Sequence, residues 1–430
     1  MEATTACDMK ILKWLKTTLL ASIVSISASA NAYDFAVDGF YYNILDETSV
    51  IVIGGGTREG ILTVPSSVTY DGNTYSVTKI GDYAFYGCSG LTSIVIPNSV
   101  TSIGESAFNH CSGLTGGLTI PNSVTSIGES AFYGCSGLTG SLTIPKSVSF
   151  IGDEAFRECS GITSVVFNAE YCNILSDYCF AIFTGCNIES VTIGEAVRCM
   201  PGSIFEYCRN LTSVILNAED CTSMGSASYP VFEDCNKLTS VAIGENVKTL
   251  PSFAFYDCSV LTSIKIPHSV KTIGEKAFCG CSRLTEVTLG KSVETIMADA
   301  FAGIKGMNKV ISLNTIPPVC TDEVFNEVNK EKCKLYVPIG SKDVYAETYV
   351  WWDFINIIET EYSGVDDTAA DALGISTTDG IISVAGSDTP MQVYDLSGKR
   401  VWQGPASQGA RLTRGVYLVR IADTITKVAL

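Results

Sequence analysis

Only two of the 430 residues are histidines, His110 and His268, so acid–base or metal chemistry would have to combine them with carboxylates or cysteines. Both fall in turn positions of a repeating pattern. At the spacing of stacked strands, about seven repeats put them on the order of 30 Å apart, so no catalytic triad or two-histidine metal site uses both. Each reads either as a solvated turn residue or as an isolated base. Glu105, Glu129 and Glu275 recur at one phase of the same pattern. There a carboxylate serves as a solvated face or as a partner for a helix start rather than as half of an acid–base pair. Gly54-Gly55-Gly56 with Gly60 lacks the spacing of a phosphate-binding loop, has no Lys-Ser/Thr after it, and is expected to be a hairpin turn. The 17 cysteines include no Cys-x-x-Cys pair, which disfavours a metal site. Neither catalysis, a cofactor nor a bound metal is expected.

The elements that hold these residues come from a repeat. Residues 91–113 read LTSIVIPNSVTSIGESAFNHCSG and 261–283 read LTSIKIPHSVKTIGEKAFCGCSR, identical at 15 of 23 positions. Phenylalanine anchors ten units: Phe85, Phe108, Phe132, Phe156, Phe183, Phe205, Phe232, Phe255, Phe278 and Phe301. A period near 23 residues held over ten units marks a solenoid. Within a unit, Leu91, Ile94 and Ile96 have the L-x-x-L-x-L spacing of leucine-rich repeats, with Ile94 and Ile96 on one side of a short strand. Pro97-Asn98 ends that strand, and Val100–Ile103 forms a second extended piece. Glu105–Cys111 is expected to be a short turn of helix carrying Ala107, Phe108 and Cys111 inward. A single unit cannot offset its ordering cost, so it folds only when stacked.

Nine cysteines sit three residues after the anchoring phenylalanine: Cys88, Cys111, Cys135, Cys159, Cys186, Cys208, Cys235, Cys258 and Cys281. A residue held at one repeat phase is used for packing, here as a small buried thiol. Cys320 and Cys333 stand outside this ladder, either as free thiols or as a disulfide that export would permit.

These units resemble the BspA-like subfamily of leucine-rich repeats, found in surface proteins of anaerobic Gram-negative bacteria. The resemblance runs from YDFAVDGFYYNIL (33–45) through VTYDGNTYSVTKIGDYAFYGCSGL (68–91) to about residue 358. It implies adhesion to host matrix proteins and to other bacteria. The units between 163 and 237 depart from it: Asn168-Ala169-Glu170 and Asn217-Ala218-Glu219 replace the proline turn, and extra residues lengthen the units. Loops bulging there are a first place to look for a ligand. The expected fold is a mainly β, leucine-rich-repeat-like right-handed solenoid with short helical turns, followed by a small β-sandwich tail.

The outward positions of the ladder strand read Val95, Thr119, Thr143, Val166, Thr192, Ile215, Ala242, Lys265 and Thr288. Ser93, Ser141, Ser164, Ser190, Ser213, Ser240, Ser263 and Glu286 run beside them. This strip is nearly uncharged and rich in hydroxyls that donate or accept. Two readings stand side by side: a ligand-facing surface, or Thr and Val chosen because they favour strands. The partner expected for it is a protein or glycoprotein at a cell surface. Glycan capture by Tyr171, Tyr178, Tyr207 and Tyr229, or a purely structural envelope role, are the competing readings. The formal charge of −17 leaves no basic field for nucleic acid.

Lys10, Lys13 and Lys16 precede an apolar run from Thr17 to Ala30, closed by Ala30-Asn31-Ala32. That is the pattern of a secretory signal, with cleavage expected after Ala32 and Met9 as an alternative start. No transmembrane segment is expected after that cleavage. Residues 33–79 read as an N-terminal cap, 80–309 as the array and 310–360 as the closing cap. Trp351, Trp352 and Phe354 either seal the last coil or form a sugar-stacking platform. A small, acidic linker spans 361–375, and its Asp367-Thr368-Ala369 resembles an O-glycosylation site of such bacteria. Residues 376–430 alternate as short strands. Their VYDLSG and GVYLV phrases resemble the type IX secretion sorting domain, although the chain ends Val428-Ala429-Leu430 without the usual lysine. The protein is expected at the cell surface or released from the cell.

Overall fold

The computed structural model describes residues 33–172, 182–321 and 323–360. In the tail it describes 375–378, 381–384, 389–394, 399–412, 416–421 and 424–429. The leader, Tyr178, the linker up to residue 374 and its glycosylation-like triplet lie outside these residues. The chain divides into two compact units. The described part of the first is residues 33–163 with 182–186; the second holds 164–172 and the chain from 187 onward.

In the first unit, strands Phe35–Val37, Phe40–Ile44 and Ser49–Gly55 open the sheet in antiparallel fashion. From there the sheet turns parallel, through Asn73–Ile80, Ser102–Ile103, Ser126–Ile127 and Phe150–Ile151. Ile103, Ile127 and Ile151 fall in one register row and are buried, as period-two alternation requires. The glycine run is not a hairpin. Gly54 and Gly55 finish a strand that pairs with Tyr41 and Phe40, and a Cβ on Gly55 would lie 2.1 Å from the Gly39 carbonyl. The next strand, Glu59–Thr63, pairs instead with Gly90–Val95 in a separate sheet.

The second unit carries parallel ladders. One runs Ser164–Phe167 (the end of strand Ile162–Phe167), Ser190–Ile193, Ser213–Leu216 and Ser240–Ile243. Another runs Ser263–Lys265, Glu286–Leu289, Lys309–Ser312, Lys334–Pro338 and Asn356–Thr360. A third joins Thr249–Leu250, Thr272–Ile273, Thr295–Ile296 and Val319–Cys320.

The expected helical turn over Glu105–Cys111 is instead a pair of tight turns. Ser106 and His110 take positive φ values of 50° and 58°. The Ala107, Asn109 and Cys111 N–H groups fold back to Gly104, Ser106 and Phe108. The Ser106, Phe108 and His110 N–H groups donate to Glu129, Ala131 and Tyr133 of the next coil, at 2.8, 2.8 and 2.7 Å. A helix would aim every one of these N–H groups along its own axis; here alternation commits every second one to stacking. The same pair of left-handed residues recurs at Ser130 with Gly134, Glu154 with Glu158, and Lys276 with Gly280. Among the described residues only Lys342–Glu347 is α-helical.

The turns hold a phenylalanine column. In the first unit Phe85, Phe108, Phe132, Phe156 and Phe183 stack at 5.3 to 5.5 Å between centroids. In the second, Phe205, Phe232, Phe255, Phe278 and Phe301 continue the pattern at 5.4 to 5.9 Å. Phe325 adds one more ring at 5.6 Å, so the array extends past residue 309. Trp351 and Phe354 then meet Phe325 edge-on and end the column. Gly128 shows how close the coils lie: with ordinary φ, its Cβ would fall 2.5 Å from the Gly104 carbonyl carbon.

The tail has a three-stranded sheet of Ile375–Thr378, Ile381–Val384 and Ala410–Arg411. A four-stranded sheet of Arg400–Pro405, Pro390–Tyr394, Val416–Ile421 and Thr424–Ala429 faces it. Ile382 and Ala410 of the first share one buried core with Met391, Val393 and Val419 of the second, a small sandwich.

Candidate recognition surface

The strip residues are set by the pleat of the ladder strand. In the second unit Val166, Thr192, Ile215 and Ala242 are direct register partners. Their neighbours Val165, Val191 and Val214 point inward and are buried. Ser164, Ser190, Ser213 and Ser240 form the parallel row beside them. Ile215 and Ala242 are exposed, while Val166 and Thr192 are half-buried. Further along, Lys265 pairs with Thr288, and Thr288 with Ile311; Ile311 is buried and breaks the row, which resumes at the half-buried Tyr336 and the exposed Ile358 toward the C-terminal end of the ladder. Charge gathers at that end: Lys309 bridges to Glu286 at 3.0 Å and lies 5.7 Å from the Tyr336 ring centre.

In the first unit Val95, Thr119 and Thr143 are exposed. The row begins one coil earlier than the repeat pattern indicates. Ile61 pairs with Ser93 and Thr63 with Val95, and Ile61 is 64% exposed. Residues 59–63 lack the phenylalanine anchor that marks a unit, so only alternation in EGILT signals them.

Where the proline turn is replaced, the alanines pack inward, and the extra residues at 173–181 lie outside the described residues. Ala169 and Ala218 are buried, and the Asn168 and Asn217 side chains occupy the space over Gly194 and Gly244. The described extra residues form a small projection, with Gly225 bridged to Pro230 and Ser226 bonded to Tyr229. Tyr171 is 58% exposed, and Arg209 lies 5.6 Å from the Tyr207 ring centre.

Neither histidine stands in a reactive arrangement. His268 Nδ1 accepts the Lys291 N–H at 3.2 Å, and His110 lies edge-on between Tyr86 and Tyr133. Two carboxyls, Glu233 and Asp257, are held above their ordinary values, first by partial burial and then by neighbouring carboxylates. Among the described residues no group of three or more His, Cys, Asp or Glu side chains could hold a metal ion. None of the described helices is long and apolar enough to cross a membrane.

The ladder thiols bond to the stack. Cys111, Cys135 and Cys159 Sγ donate to the carbonyls of Phe85, Phe108 and Phe132, each at 3.1 Å. Cys320 and Cys333 are not joined. Both are buried free thiols with their own acceptors, the Pro318 carbonyl at 3.7 Å and the Lys334 carbonyl at 4.0 Å. Of the candidate sugar platform, Trp351 is fully buried and donates Nε1–H to the Pro318 carbonyl at 2.8 Å. Phe354 is buried too, which leaves Trp352 outside, against Tyr349.

No curated protein matches the chain. A leucine-rich cell surface protein from Faecalibacterium prausnitzii is similar at 22% identity, over 67% of this chain and 96% of its own, with a TM-score of 0.28. A leucine-rich repeat protein of Bacteroides ovatus is similar at 26% identity, over 65% and 94%, with a TM-score of 0.27. The leucine-rich repeat protein of T. pallidum gives 24% identity over 58% and 90%, with a TM-score of 0.37. The BspA type leucine rich repeat region matches in six copies, over residues 78–212, 141–231, 181–308 and 228–330. With more than half its length matched by that pattern, the chain belongs to the BspA-type leucine-rich repeat family.

Proposed function

We propose that the protein is a non-enzymatic recognition protein, exported to the cell surface or released, that binds protein or glycoprotein partners through its outward strand row. The observation that carries this reading is the register row Val166, Thr192, Ile215 and Ala242. Its backbone is fixed by parallel pairing, its inward neighbours hold the fold, and its outer side chains are uncharged. A partner docking there orders little of the protein, which keeps the entropic cost of binding low. Family membership supports a recognition role. The basic, apolar leader and the VYDLSG and GVYLV phrases of the tail support export and sorting as part of the same reading.

The test offers the chain from Tyr33 onward to immobilised host matrix glycoproteins and to whole bacteria. Saturable binding is expected, and Ile215→Asp with Ala242→Asp is expected to weaken it about tenfold or more, the loss typical of a disrupted contact centre. The thermal melt should stay unchanged. A folded wild type that binds nothing would leave the structural envelope role, and binding untouched by the two changes would move the site elsewhere. Tyr171, more than half exposed, favours glycan capture as the second reading; a silent glycan array would remove it.

A further inference from the structure

We infer that the second unit carries a built-in seam, between the coil of Phe232 and the coil of Phe255, which closes in acid and loosens toward neutral pH. It stands whatever the outward row binds. The seam shows first in the backbone. The ladder through Ser213–Leu216 ends at Ser240–Ile243, and Ser263–Lys265 opens a separate sheet instead of continuing it. On the turn side, Phe205 and Tyr207 donate their N–H groups to Val231 and Glu233 of the next coil, and Phe255 and Asp257 donate theirs to Ala277 and Cys279. Among the described residues, Phe232 and Asp234 donate no such bond to the coil of Phe255. On the remaining side Ser223–Met224 is not paired with Thr249–Leu250, and an isolated bridge between Ser223 and Ser252 crosses instead. Ladder pairing is thus interrupted on three consecutive faces of one turn of the array.

Packing is looser at the same place. Val241 is half-buried, whereas its register partner Val214 and the equivalent Val287 are buried. The Phe232 and Phe255 ring centres stand 5.9 Å apart, against 5.3 to 5.5 Å in the first unit. Where backbone bonds are few, a segment opens locally at a small fraction of the cost of global unfolding.

Charge sets when it opens. Glu233 and Asp234 stand on one lip and Asp257 on the other, with Glu206 one coil behind Glu233 at the same phase. Groups at one phase on adjacent coils lie about one strand spacing apart, on the order of 5 Å. Partial burial, and then Glu206, Asp234 and Asp257, hold Glu233 above its ordinary value. Partial burial, and then Asp234, do the same to Asp257. Tyr207, Tyr256 and Cys279 also face the cluster; Tyr207 is raised first by Glu206 and the other two by burial, so all three stay uncharged near pH 7. The nearby cations hold other partners: Arg209 lies 5.6 Å from the Tyr207 ring centre, Lys237 reaches Asn210 at 2.9 Å, and Lys276 bridges to Glu275 at 3.1 Å. Closure presses like charges together, and protons on Glu233 and Asp257 relieve it. Opening returns both carboxyls toward their ordinary values of 4.5 and 3.8, so the closed form binds more protons. Opening is least at or below that range and grows as pH rises through the raised values.

Hydrogen exchange on the full chain, corrected for the intrinsic rate at each pH, tests this at pH 5 and pH 7.5. At pH 7.5 peptides covering 231–243 are expected to exchange about tenfold faster than peptides covering 204–216. That difference should shrink at pH 5. Glu233→Gln with Asp257→Asn should slow the seam several-fold at pH 7.5 and remove most of its pH dependence. Glu245→Gln, at an exposed position outside the cluster, should do neither, which separates the seam from general relief of charge on an acidic chain. If the double variant fails to fold, the wild-type contrast between the two segments at the two pH values decides. Equal exchange of both segments at pH 7.5, an equal pH response in 204–216, or an unchanged response in the folded double variant would each overturn the seam.

Discussion

Raising the pH from 8 toward 11 is expected to unfold the array cooperatively, and returning to pH 7 under reductant is expected to restore it. Burial pushes the Cys111, Cys235 and Cys221 thiols up to about 12 from an ordinary value of 9.0, and pushes Cys186, Cys258 and Cys281 upward as well. The folded chain therefore keeps protons that the unfolded chain gives up. Below pH 9 both states are protonated and the full stability is present. Between 9 and the raised values only the unfolded chain ionises, so stability falls with rising pH, by about 1.4 kcal/mol per pH unit for each such thiol. Three thiols acting together remove about 4 kcal/mol per unit, a large share of the ~5–15 kcal/mol that holds a domain. Circular dichroism and thiolate absorbance should change together. Cys111→Ser keeps a donor for the Phe85 carbonyl and should move the midpoint upward. A chain that stays folded while its thiols titrate near 9 would contradict the burial that the ladder requires.

Phe255→Ala is expected to cost about 3–5 kcal/mol, whereas Phe253→Ala, the same change two residues earlier, should cost less than about 1 kcal/mol. Phe255 is fully buried and stacked on Phe232 at 5.9 Å and on Phe278 at 5.5 Å. Its loss leaves a cavity that neighbouring coils cannot close, since their separation is fixed by backbone bonds such as Phe255 N–H to the Ala277 carbonyl at 2.8 Å. Phe253 sits half-exposed on a left-handed residue, with Lys276 5.9 Å from its ring centre. Urea denaturation of the two variants checks the contrast. Equal losses would mean that the column is not the core.

The difference between these two rings also shows what the sequence makes legible. Phe255 belongs to a period held over ten units, and periodicity transmits inside from outside without coordinates. The inward cysteines and the alternation of Val214 and Ile215 are readable for the same reason. The backbone path between Glu105 and Cys111 is not. A helix and a double turn both bury Ala107, Phe108 and Cys111, and only stacking decides where the alternate N–H groups go. Phe325 escapes the count because TDEVFNEVNKEKC lacks both marks of the earlier units, an alanine just before the phenylalanine and a cysteine three residues after it.

Glycines and thiols divide the labour of close stacking. At Gly128 the coils approach so closely that no Cβ fits, whereas at Cys135 the gap admits one sulfur, which bonds to the Phe108 carbonyl at 3.1 Å. Each position tolerates one class of side chain. That fixes the separation of the coils, and with it the spacing of the outward rows that recognition would use.

Recognition along the outward row depends on the pleat of one ladder strand, where one residue holds the interior and the next is left free for a partner. Thermal melting of Val214→Asp beside Ile215→Asp probes it most directly. A carboxylate at the buried Val214 should cost several kcal/mol and abolish the cooperative transition of its unit, while one at the exposed Ile215 should leave the melt within about one degree of wild type. Comparable losses at both positions, or a milder effect at Val214, would show that the outward row is not free of the fold.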